Sequence, residues 1–417
     1  MGELVVNGGR RLFGTVRIHG AKNSVLPILS ATILNRGESI IHNCPKLKDV
    51  DAAVEILRYL GCLVTREGST LIIDSSTMDC CEVPDSLMRE MRSSVIFLGA
   101  VIARAGRCRM SFPGGCELGP RPIDIHLSAF RELGISIVED SGILDCNVAG
   151  MHGRNLNLSV PSVGATENIM LAATACTGIT RIINAAREPE IEDLQRFVNA
   201  MGGKVRGAGG SVVEIEGVLP NLRPEYTVMP DRIVTATFLC AAAGTGGSIR
   251  VEGAVPLHVS TLTAALAEAG CKIEVTADTI SIGAQGTLHS IGPVRTMPYP
   301  GFPTDAQAQL LTVMTRAEGS TVFIENIFEN RYRQVGELTR MGADIKVTGK
   351  VAVVCGPRRL SGTQVCATDL RGGAALVIAG LMAEGQTVIH GINHIDRGYE
   401  GFENNLADLG AGIVRVE

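Results

Sequence analysis

The 417-residue chain lacks several features that mark particular classes of protein. It has no tryptophan and 4 % aromatic residues, and its 49 glycines are typical of many short strands joined by tight turns. No segment approaches the roughly 18 consecutive apolar residues of a transmembrane helix. A formal net charge of −5 indicates no general affinity for nucleic acid or anionic membranes. These absences favour a soluble globular protein of about two to three domains.

Cysteine motifs and an export signal are also missing. The twelve cysteines form no C-x-x-C pair; Cys80 and Cys81 are adjacent and the others are scattered. The first residues, MGELVVNGG, have neither the basic nor the apolar region of a secretory signal. We therefore expect reduced thiols and a cytoplasmic protein.

Motifs for metals and nucleotides are absent as well. There is no H-E-x-x-H, and His394 with Asp396 is too little for a metal site. The T-G-K-V at 348–351 lacks the glycine spacing and hydroxyl of a phosphate-binding P-loop. Gly244, Gly246 and Gly247 follow a predicted helix rather than a strand, which excludes a dinucleotide fingerprint. The sequence predicts no metal site.

A repeat is present instead. Six times, at intervals of 68 to 73 residues, a helix-like segment ends in an apolar residue and a glycine and is followed by a strand. A fixed period of this kind predicts six copies of one supersecondary unit. The copies are ILRYLGCLV, AFRELGISI, FVNAMGGKV, ALAEAGCKI, ELTRMGADI and NLADLGAGI, with glycines 61, 134, 202, 270, 342 and 410.

Each copy contains a second helix that is apolar nearly all round, such as SSVIFLGAVIARAG or IVTATFLCAAAGTG. A helix of this composition is buried inside a domain rather than on its surface. A strand follows it, then an amphipathic helix that ends at the signature glycine, then two more strands. We therefore predict units of type β-α-β-α-β-β, with helices in the centre and sheets outside.

The ends of the chain are related. Residues 5–15, VVNGGRRLFGT, resemble residues 353–363, VVCGPRRLSGT, and the sixth unit ends at VRVE without its last strands. We expect the N-terminal segment to supply those strands. The prediction is an α/β protein of two domains with three units each: residues 22–230, and residues 1–21 with 231–417, with a hinge at the two crossings.

Polar residues recur near the starts of the buried helices. A lysine or arginine there opposes the helix macrodipole, and a bound anion would reverse that penalty. For any one residue, a salt bridge to a nearby carboxylate is the alternative explanation. Repetition at equivalent positions favours a cleft between the domains lined with positive charge. These residues are Lys22, Arg92, Thr166, Arg232, Asp305 and Arg371.

A glycine-rich segment, RCRMSFPGGCELGPRPIDIH at 107–126, is predicted to be a loop. Cys116 lies in it beside Gly114 and Gly115, with Arg121 five residues further on. A thiol in an exposed basic loop has a lowered pKa and can act as an acid or a nucleophile. We assign a functional role to Cys116 and none to cysteines within apolar helices, such as Cys176 and Cys240.

Long motifs resemble the UDP-N-acetylglucosamine 1-carboxyvinyltransferase family of enolpyruvyl transferases, and the resemblance extends over the whole chain. It implies two inside-out α/β barrels and enolpyruvyl transfer from phosphoenolpyruvate to the sugar 3′-hydroxyl, the start of peptidoglycan precursor synthesis. It also implies no metal or organic cofactor, no nucleic-acid or membrane partner and no obligate protein partner. The motifs are GAKNSVLPIL, PKLKDVD, MRSS, PGGCELGPRPID, SVGATENIM, NAAREPEI, MPDRI, FPTDAQAQ, FENR, ATDLRGGAAL and HIDRGYE.

The resemblance also implies roles for individual residues. Cys116, Asp305, Lys22 and Arg397 would be catalytic, with Asp305 against the sugar hydroxyl. Lys22, Asn23, Arg121 and Arg397 would hold phosphoenolpyruvate, and Arg331 and Arg371 would add positive charge near its carboxylate. Asp369 and Glu188 match acids of the family's cleft. The UDP-sugar would contact Arg92, Arg121, Pro122, Ile123, Asp124, Ile125, Ser162, Val163, Gly164, Asp305 and Ile327.

Two alternatives remain at this stage. The shikimate-pathway enolpyruvyl transferase shares the fold and the mechanism, although the PGGC and RPID segments favour the UDP-sugar enzyme. A non-catalytic relative that binds UDP-sugar is the other, since fold does not imply function. The joint presence of Lys22, Cys116, Asp305 and Arg397 argues against it.

Overall fold

The computed structural model describes residues 2–112 and 123–416, and these form two compact units. We call residues 20–112 with 123–229 the middle unit, and residues 2–19 with 230–416 the terminal unit. Each unit has its own hydrophobic core. None of the helices in these described ranges is both long enough and apolar enough to cross a bilayer.

The α-helices of the described residues, in chain order, are α1 Lys22–Ala31, α2 Lys48–Tyr59, α3 Asp85–Glu90, α4 Phe97–Ala105, α5 Asp124–Glu132, α6 Val163–Ala173, α7 Pro189–Ala200, α8 Arg232–Thr245, α9 Ser260–Glu268, α10 Thr304–Met314, α11 Val335–Arg340, α12 Leu370–Met382 and α13 Phe402–Asp408. Short 3-10 helices lie at Thr32–Leu34, Arg92–Ile96, Pro256–Val259 and Ile392–Arg397.

The strands are β1 Glu3–Asn7, β2 Phe13–Arg17, β3 Glu38–His42, β4 Leu63–Glu67, β5 Thr70–Asp74, β6 Glu82–Val83, β7 Arg107–Ser111, β8 Ile135–Asp140, β9 Ile143–Val148, β10 Asn155–Asn157, β11 Ile179–Ile183, β12 Lys204–Arg206, β13 Val212–Glu216, β14 Glu225–Thr227, β15 Ser248–Glu252, β16 Lys272–Val275, β17 Thr279–Gly283, β18 Val294–Arg295, β19 Gly319–Ile324, β20 Asp344–Thr348, β21 Val351–Gly356, β22 Gln364–Cys366, β23 Gln386–His390 and β24 Gly412–Val416.

The predicted apolar helices lie inside the units. In the terminal unit α8, α10 and α12 pack against one another, and every residue of α8 from Arg232 to Gly244 is buried. In the middle unit α4 packs against both α1 and α6. Because these helices are apolar on all sides, burial on all sides is the arrangement that removes most apolar surface from water.

The signature glycines share one backbone conformation. Glycines 61, 134, 202, 270, 342 and 410 all have φ between 93° and 106°. This left-handed region ends a helix and turns the chain into the next strand, and glycine enters it without a steric penalty. The repeat in sequence is therefore a repeat of one helix-to-strand turn.

The predicted unit is confirmed by the sheets. The described strands form six four-stranded sheets, each with one parallel pair and two antiparallel pairs, as in β6-β7-β9-β8. In that unit α4 connects β6 to β7 and α5 connects β7 to β8, which is the order β-α-β-α-β-β. A parallel pair requires such a crossover helix, whereas β8 and β9 are joined by a short turn.

The N-terminal segment completes the last sheet with one strand only. β1 lies between β23 and β24 and pairs antiparallel with both, with Leu4 opposite Ile389 and Val5 opposite Val414. The expectation that both N-terminal strands join the sixth unit is wrong, because β2 pairs in parallel with β15. β2 supplies the parallel strand of the sheet that contains β15, the strand after α8. In the middle unit β14 supplies the parallel strand for β3 in the same way.

The prediction of a loop over residues 107–126 is wrong at both ends. Residues 107–111 form β7, because Cys108 and Met110 alternate into the core of the middle unit. At the other end α5 begins at Asp124, where a carboxylate in the first turn suits the helix dipole. The residues between 113 and 122, which include Cys116, Arg121 and Pro122, lie outside the described ranges.

Candidate active site

Asp305 is held by two buried arginines of the terminal unit. It is the second residue of α10, and its Oδ1 lies 2.5 Å from Arg331 Nη2 and 3.6 Å from Arg371 Nε. The two arginine side chains are 2 % and 4 % exposed, and that of Asp305 is 25 % exposed. Arg331 also donates through Nε and Nη2 to the carbonyl of Thr304, at 3.2 and 3.1 Å. Three predicted site residues are therefore in direct contact.

The charges determine the protonation of this cluster. Burial alone would raise the pKa of Asp305, but attraction by Arg371, Arg331 and Arg232 outweighs burial and holds that pKa far below its ordinary value of 3.8. Burial would lower the pKa of Arg371, and attraction by Asp305, Tyr399 and Asp231 more than offsets it. Asp305 is thus an ionised carboxylate facing several guanidinium groups.

Glu325 links Ile327 to Thr304, the residue before Asp305. This buried carboxylate accepts hydrogen bonds from the backbone N–H groups of Ile327 and Phe328, at 2.8 and 3.0 Å, and from Thr304 Oγ1 at 3.0 Å. The centre of the Phe328 ring lies 5.4 Å from the guanidinium carbon of Arg331. The backbone at Ile327, whose side chain is exposed, is therefore held close to the start of α10. Glu325 lies outside every motif that indicated a site residue.

Tyr399 supports Arg371 from the other side. Its hydroxyl accepts from Arg371 Nη1 at 3.3 Å, and the guanidinium lies 5.6 Å from the ring centre, within cation–π range. Gln309 Nε2 donates to the same hydroxyl at 3.3 Å, and Thr237 Oγ1 lies 2.9 Å from it. Tyr399 was missed as a site residue, although it lies within the motif HIDRGYE that carried Arg397.

Aspartates cap two of the buried helices next to their arginines. Asp231 accepts from the N–H groups of Ile233 and Val234 at the start of α8. Asp369 accepts from the N–H groups of Arg371 and Gly372 at the start of α12, at 3.0 and 2.9 Å. These caps satisfy free helix N–H groups and offset the dipole that opposes the neighbouring arginines. The predicted acid Asp369 therefore has a definite structural task.

Arg232 and Arg397 are the other two predicted cations of the terminal unit. Arg232 is the buried first residue of α8, and its guanidinium lies 5.9 Å from the ring centre of Tyr299. Arg397 is the half-exposed last residue of the 3-10 helix that precedes Tyr399.

Lys22 in the middle unit has a carboxylate partner. It is the first residue of α1, and its Nζ lies 2.6 Å from Asp49 Oδ2, with side-chain exposures of 13 % and 3 %. Asn23 follows it and is half-buried. The salt-bridge explanation considered for cations at helix starts is therefore correct for Lys22, as it is for Arg371 with Asp305. Such pairing does not exclude anion binding, because an arriving anion can compete for the same cation.

The segment 162–164 forms the start of α6. Ser162 is its N-cap and accepts from the N–H of Ala165 at 3.3 Å, and Val163 and Gly164 are the first two residues. A side chain at Gly164 would come within 3.3 Å of the ring of His126. Burial lowers the pKa of His126 to about 4, so this imidazole is neutral at pH 7. Thr166, predicted at the helix mouth, is instead fully buried in the first turn of α6 and donates to the carbonyl of Ser162.

Two further predicted segments lie at helix starts. Ile123 is the buried N-cap residue of α5, Asp124 is its exposed first residue, and Ile125 is half-buried. The prediction that these residues lie in a loop is therefore wrong, because Asp124 and Ile125 already belong to α5. Arg92 is the first residue of a 3-10 helix rather than of the α-helix α4 that follows it.

A buried glutamate of α6 was also missed. Burial raises the pKa of Glu167 well above its ordinary value, and repulsion by Glu190 and Glu188 adds to the effect. The charged form of this buried carboxyl group is therefore disfavoured. Glu188, predicted from the motif NAAREPEI, is the N-cap residue of α7. The motif SVGATENIM contained Glu167, but the acids that repel its charge, Glu188 and Glu190, lie further along the chain.

The structure thus brings together Asp305, Ile327, Arg331, Arg371 and Asp369 in the terminal unit. In the middle unit it shows Lys22 beside Asp49, and Ser162 to Gly164 beside His126. Over residues 2–112 and 123–416, no group of three or more His, Cys, Asp or Glu residues is placed to hold a metal ion.

Known proteins confirm the resemblance over the whole chain. Residues 6–406 match the family model described as EPSP synthase (3-phosphoshikimate 1-carboxyvinyltransferase). A protein of Caldanaerobacter subterraneus named UDP-N-acetylglucosamine 1-carboxyvinyltransferase 2 is 52 % identical over 416 residues, which covers 100 % of both chains. UDP-N-acetylglucosamine 1-carboxyvinyltransferase 1 of Symbiobacterium thermophilum is 49 % identical and covers 99 % of this chain and 95 % of its own.

The chain belongs to the EPSP synthase family of enolpyruvyl transferases. Solved structures agree with this membership. The enolpyruvyl transferase NikO of Streptomyces tendae has a TM-score of 0.89 at 26 % identity, and covers 100 % of this chain and 99 % of its own. EPSP synthase of Acinetobacter baumannii has a TM-score of 0.77 at 18 % identity over 100 % of both chains, a likeness of fold. The two-domain α/β fold expected from the resemblance is confirmed for this enolpyruvyl transferase family member.

The ion cluster generates a prediction about stability. Asp305→Asn leaves the buried guanidiniums of Arg331 and Arg371 without their carboxylate, so we expect a loss of about 3 kcal/mol in the free energy of unfolding. Because the pKa of Asp305 is lowered on folding, the wild-type advantage is complete above its ordinary value and is lost as the pH falls through the lowered pKa. Urea unfolding should show a constant difference between pH 5 and pH 8 that shrinks below about pH 4.

The matched control is Asp344→Asn, which breaks the exposed pair of Asp344 with Arg358 in the same unit. Exposed pairs contribute little, so its effect should be much smaller. Equal effects of the two substitutions, or a difference at Asp305 that does not depend on pH, would contradict the proposed electrostatics.

Proposed function

We propose that this protein transfers the enolpyruvyl group of phosphoenolpyruvate to the 3′-hydroxyl of UDP-N-acetylglucosamine and releases phosphate. The observation that carries the proposal is the ionised Asp305 between Arg331 and Arg371, in a chain whose full-length relatives bear the name of this activity. The reaction is the first committed step of peptidoglycan precursor synthesis, so the protein would serve cell-wall formation, cell shape and division in the cytoplasm. It would need no metal, no organic cofactor and no protein partner.

The cations suit phosphoenolpyruvate. This substrate carries about three negative charges, and fixed cations stabilise both its binding and the charge that develops in the transition state. Lys22, Arg121 and Arg397, with Asn23, would hold its phosphate and carboxylate, and Arg331 and Arg371 would face the carboxylate. Arginines that are already buried and held by Asp305, Thr304 and Tyr399 need little reorganisation when the anion binds.

Asp305 would be the general base for the sugar hydroxyl. With its pKa held far below the ordinary value, it is a weak base in the ligand-free protein. When the carboxylate of phosphoenolpyruvate engages Arg331 and Arg371, it shares the positive charge that lowers this pKa. The basicity of Asp305 would then rise only once phosphoenolpyruvate is bound, which limits proton abstraction to the complete complex.

The chemistry is an addition followed by an elimination. In the addition, the 3′-oxygen bonds to C2 of phosphoenolpyruvate, the hydroxyl proton passes to Asp305, and C3 receives a proton from Cys116. In the elimination, C3 returns a proton to the Cys116 thiolate and the bond from C2 to the phosphate oxygen breaks, which forms the enol ether and releases phosphate with the proton that Asp305 had taken. Cys116 acts here as a proton donor, a role that a thiol or a carboxylic acid can fill.

The UDP-sugar would be held mainly by the middle unit. Ser162, Val163 and Gly164 at the start of α6 suit a diphosphate, because free N–H groups at a helix N-terminus bind anions. Arg92, residues 121–125 and Ile327 would contact the nucleotide sugar. We also infer that the functional domains are residues 22–230, with the Cys116 segment, and residues 1–21 with 231–417.

Phosphate release tests the proposal directly. We expect release from phosphoenolpyruvate with UDP-N-acetylglucosamine and none with shikimate-3-phosphate, the acceptor named by the matched family model. Asp305→Ala should slow turnover at least 10²-fold and change ligand binding by less than about tenfold, as expected for a lost general base. Activity with shikimate-3-phosphate would identify the other enzyme, and binding of UDP-sugar without turnover would identify a non-catalytic relative. Near-normal turnover of Asp305→Ala would overturn its assignment as the base.

Lys22 should serve phosphoenolpyruvate rather than the nucleotide sugar. Lys22→Ala removes a charge-assisted contact worth about 2 to 3 kcal/mol, so KM for phosphoenolpyruvate should rise about 30- to 150-fold. The affinity for UDP-N-acetylglucosamine alone, measured by calorimetry, should change much less. Lys204→Ala, which removes an exposed lysine of the same unit, is the control and should change neither. Equal losses for both ligands would assign Lys22 to the fold.

Cys116 should be the position attacked by fosfomycin, the epoxide inhibitor of the family that the chain resembles. Intact mass and peptide mapping should show one adduct, at Cys116, which forms faster in the presence of UDP-N-acetylglucosamine. Cys116→Asp should remain active and become resistant, because the role needs a proton donor rather than sulfur. An adduct at another cysteine, or a folded but inactive Asp variant, would contradict the role.

A further inference from the structure

Three cysteines of the middle unit lie in register across neighbouring strands. β7 pairs antiparallel with β9 so that Cys108 is opposite Cys146. β7 pairs in parallel with β6, with Glu82 opposite Arg109. Cys81 and Cys108 each precede one of these two residues, so they are opposite each other as well. The N–H of Arg109 donates to the carbonyl of Cys81 at 3.0 Å, so the ladder extends to this residue. We call Cys81, Cys108 and Cys146 the thiol row.

The thiol row faces the core. Cys108 and Cys146 are 1 % and 0 % exposed, and Cys81 is half-buried and packs against the same hydrophobic cluster. The neighbours Glu82, Arg109 and Asp145 are exposed on the opposite face of the sheet. Residues directly opposite each other on adjacent strands share a face, so the three thiols are neighbours in pairs.

The spacing of the row permits a covalent link. Adjacent strands lie about 4.7 to 4.9 Å apart, and the Cα atoms of disulfide-bonded cysteines are about 4.4 to 6.8 Å apart. All three cysteines are free thiols in this structure. A straight row cannot converge on one metal ion, and no metal-binding group is found in the described ranges. The arrangement therefore favours a bond between two thiols over chelation.

Access distinguishes the members of the row. Cys81 is half-buried at the edge of the sheet, so an external oxidant reaches it first. Burial raises the pKa of the Cys108 thiol well above its ordinary value, with contributions from Cys146, Cys81, Cys80 and Asp145. Burial likewise raises the pKa of Cys146 to about 12. The thiolate is the attacking species in disulfide exchange, so Cys108 and Cys146 are poor initiators.

Register also separates the two possible partners of Cys108. The N–H of Val148 donates to the carbonyl of Gly106 opposite it, and the N–H of Phe112 donates to the carbonyl of Gly142 opposite it. Hydrogen-bonded and non-hydrogen-bonded pairs alternate between these two ends of the ladder. Cys108 with Cys146 falls on the hydrogen-bonded positions, where side chains stand further apart. The sulfur of Cys80 is already engaged locally, since it accepts from the N–H of Glu82 at 3.4 Å. The pair of Cys81 with Cys108 is therefore favoured.

We propose that Cys81 and Cys108 form a reversible disulfide when the folded protein meets a disulfide oxidant such as oxidised glutathione. The Cys81 thiolate attacks one sulfur of oxidised glutathione, forms a mixed disulfide and releases one glutathione thiolate. The Cys108 thiolate then attacks the Cys81 sulfur and displaces the second glutathione. Two protein thiols are oxidised, one glutathione disulfide is reduced to two thiols, and the two protein thiol protons pass to them.

Peptide mapping after treatment of the native protein with oxidised glutathione tests this site. We expect a loss of about two mass units, from the two hydrogens removed, and a cross-linked peptide pair that contains Cys81 and Cys108. Dithiothreitol should reverse both. The tryptic peptide of Cys81 also contains Cys80, so variants assign the bond: Cys81→Ser should abolish the cross-link and leave Cys108 unmodified, whereas the neighbouring control Cys80→Ser should keep it.

Cys176→Ser is a second control, because Cys176 is a buried cysteine of the same unit outside the row, and this variant should also keep the cross-link. Four results would each overturn the proposal. They are a bond between Cys108 and Cys146, a bond through Cys80, a glutathione adduct at Cys81 that never resolves, and a cross-link that forms only in guanidinium chloride.

Discussion

Complete burial of the central helices is the constraint on which the rest of this structure depends. A helix that is apolar on every side must be surrounded, and three such helices per unit are enclosed by three four-stranded sheets. The starts of these helices are then where the charged candidate residues are found. The candidate active-site residues Lys22, Asp305 and Arg371 accordingly lie in first helical turns, where free N–H groups and the dipole are available.

Charge at these helix starts is balanced locally rather than left in excess. Asp369 caps α12, the helix that carries Arg371. Asp305 contacts Arg371 and Arg331 from the start of α10, which packs beside α12. Lys22 has Asp49. Breaking such buried pairs is costly, which keeps the cations in place without a ligand. A substrate with two or three negative charges could take over part of the pairing that these carboxylates now provide. It would meet arginine and lysine donors that are already in position, which is the basis of the proposed transfer chemistry.

The same enclosure controls the thiols. Sheet register brings Cys81, Cys108 and Cys146 side by side, and burial suppresses the ionisation of Cys108 and Cys146. Reactivity in this row therefore depends on access from the edge of the sheet and not on thiol chemistry alone. Cys240 is fully buried within α8, and burial raises its pKa as well, so this cysteine serves as a packing residue.

The sequence by itself determined the repeat, the buried helices and the family, because a helix-ending glycine, an apolar helix and a long motif are local signals; it also supplied the candidate site residues. It did not determine that β2 joins the unit of α8, or that residues 107–111 form a strand, since strand partners are chosen by distant segments. It also missed Glu325, Tyr399 and Glu167, whose roles arise from contacts with residues far along the chain. Whether Asp305 is ionised, and which carboxylate faces which arginine, was decided only by the tertiary structure, because burial and distance set the strength of charge interactions.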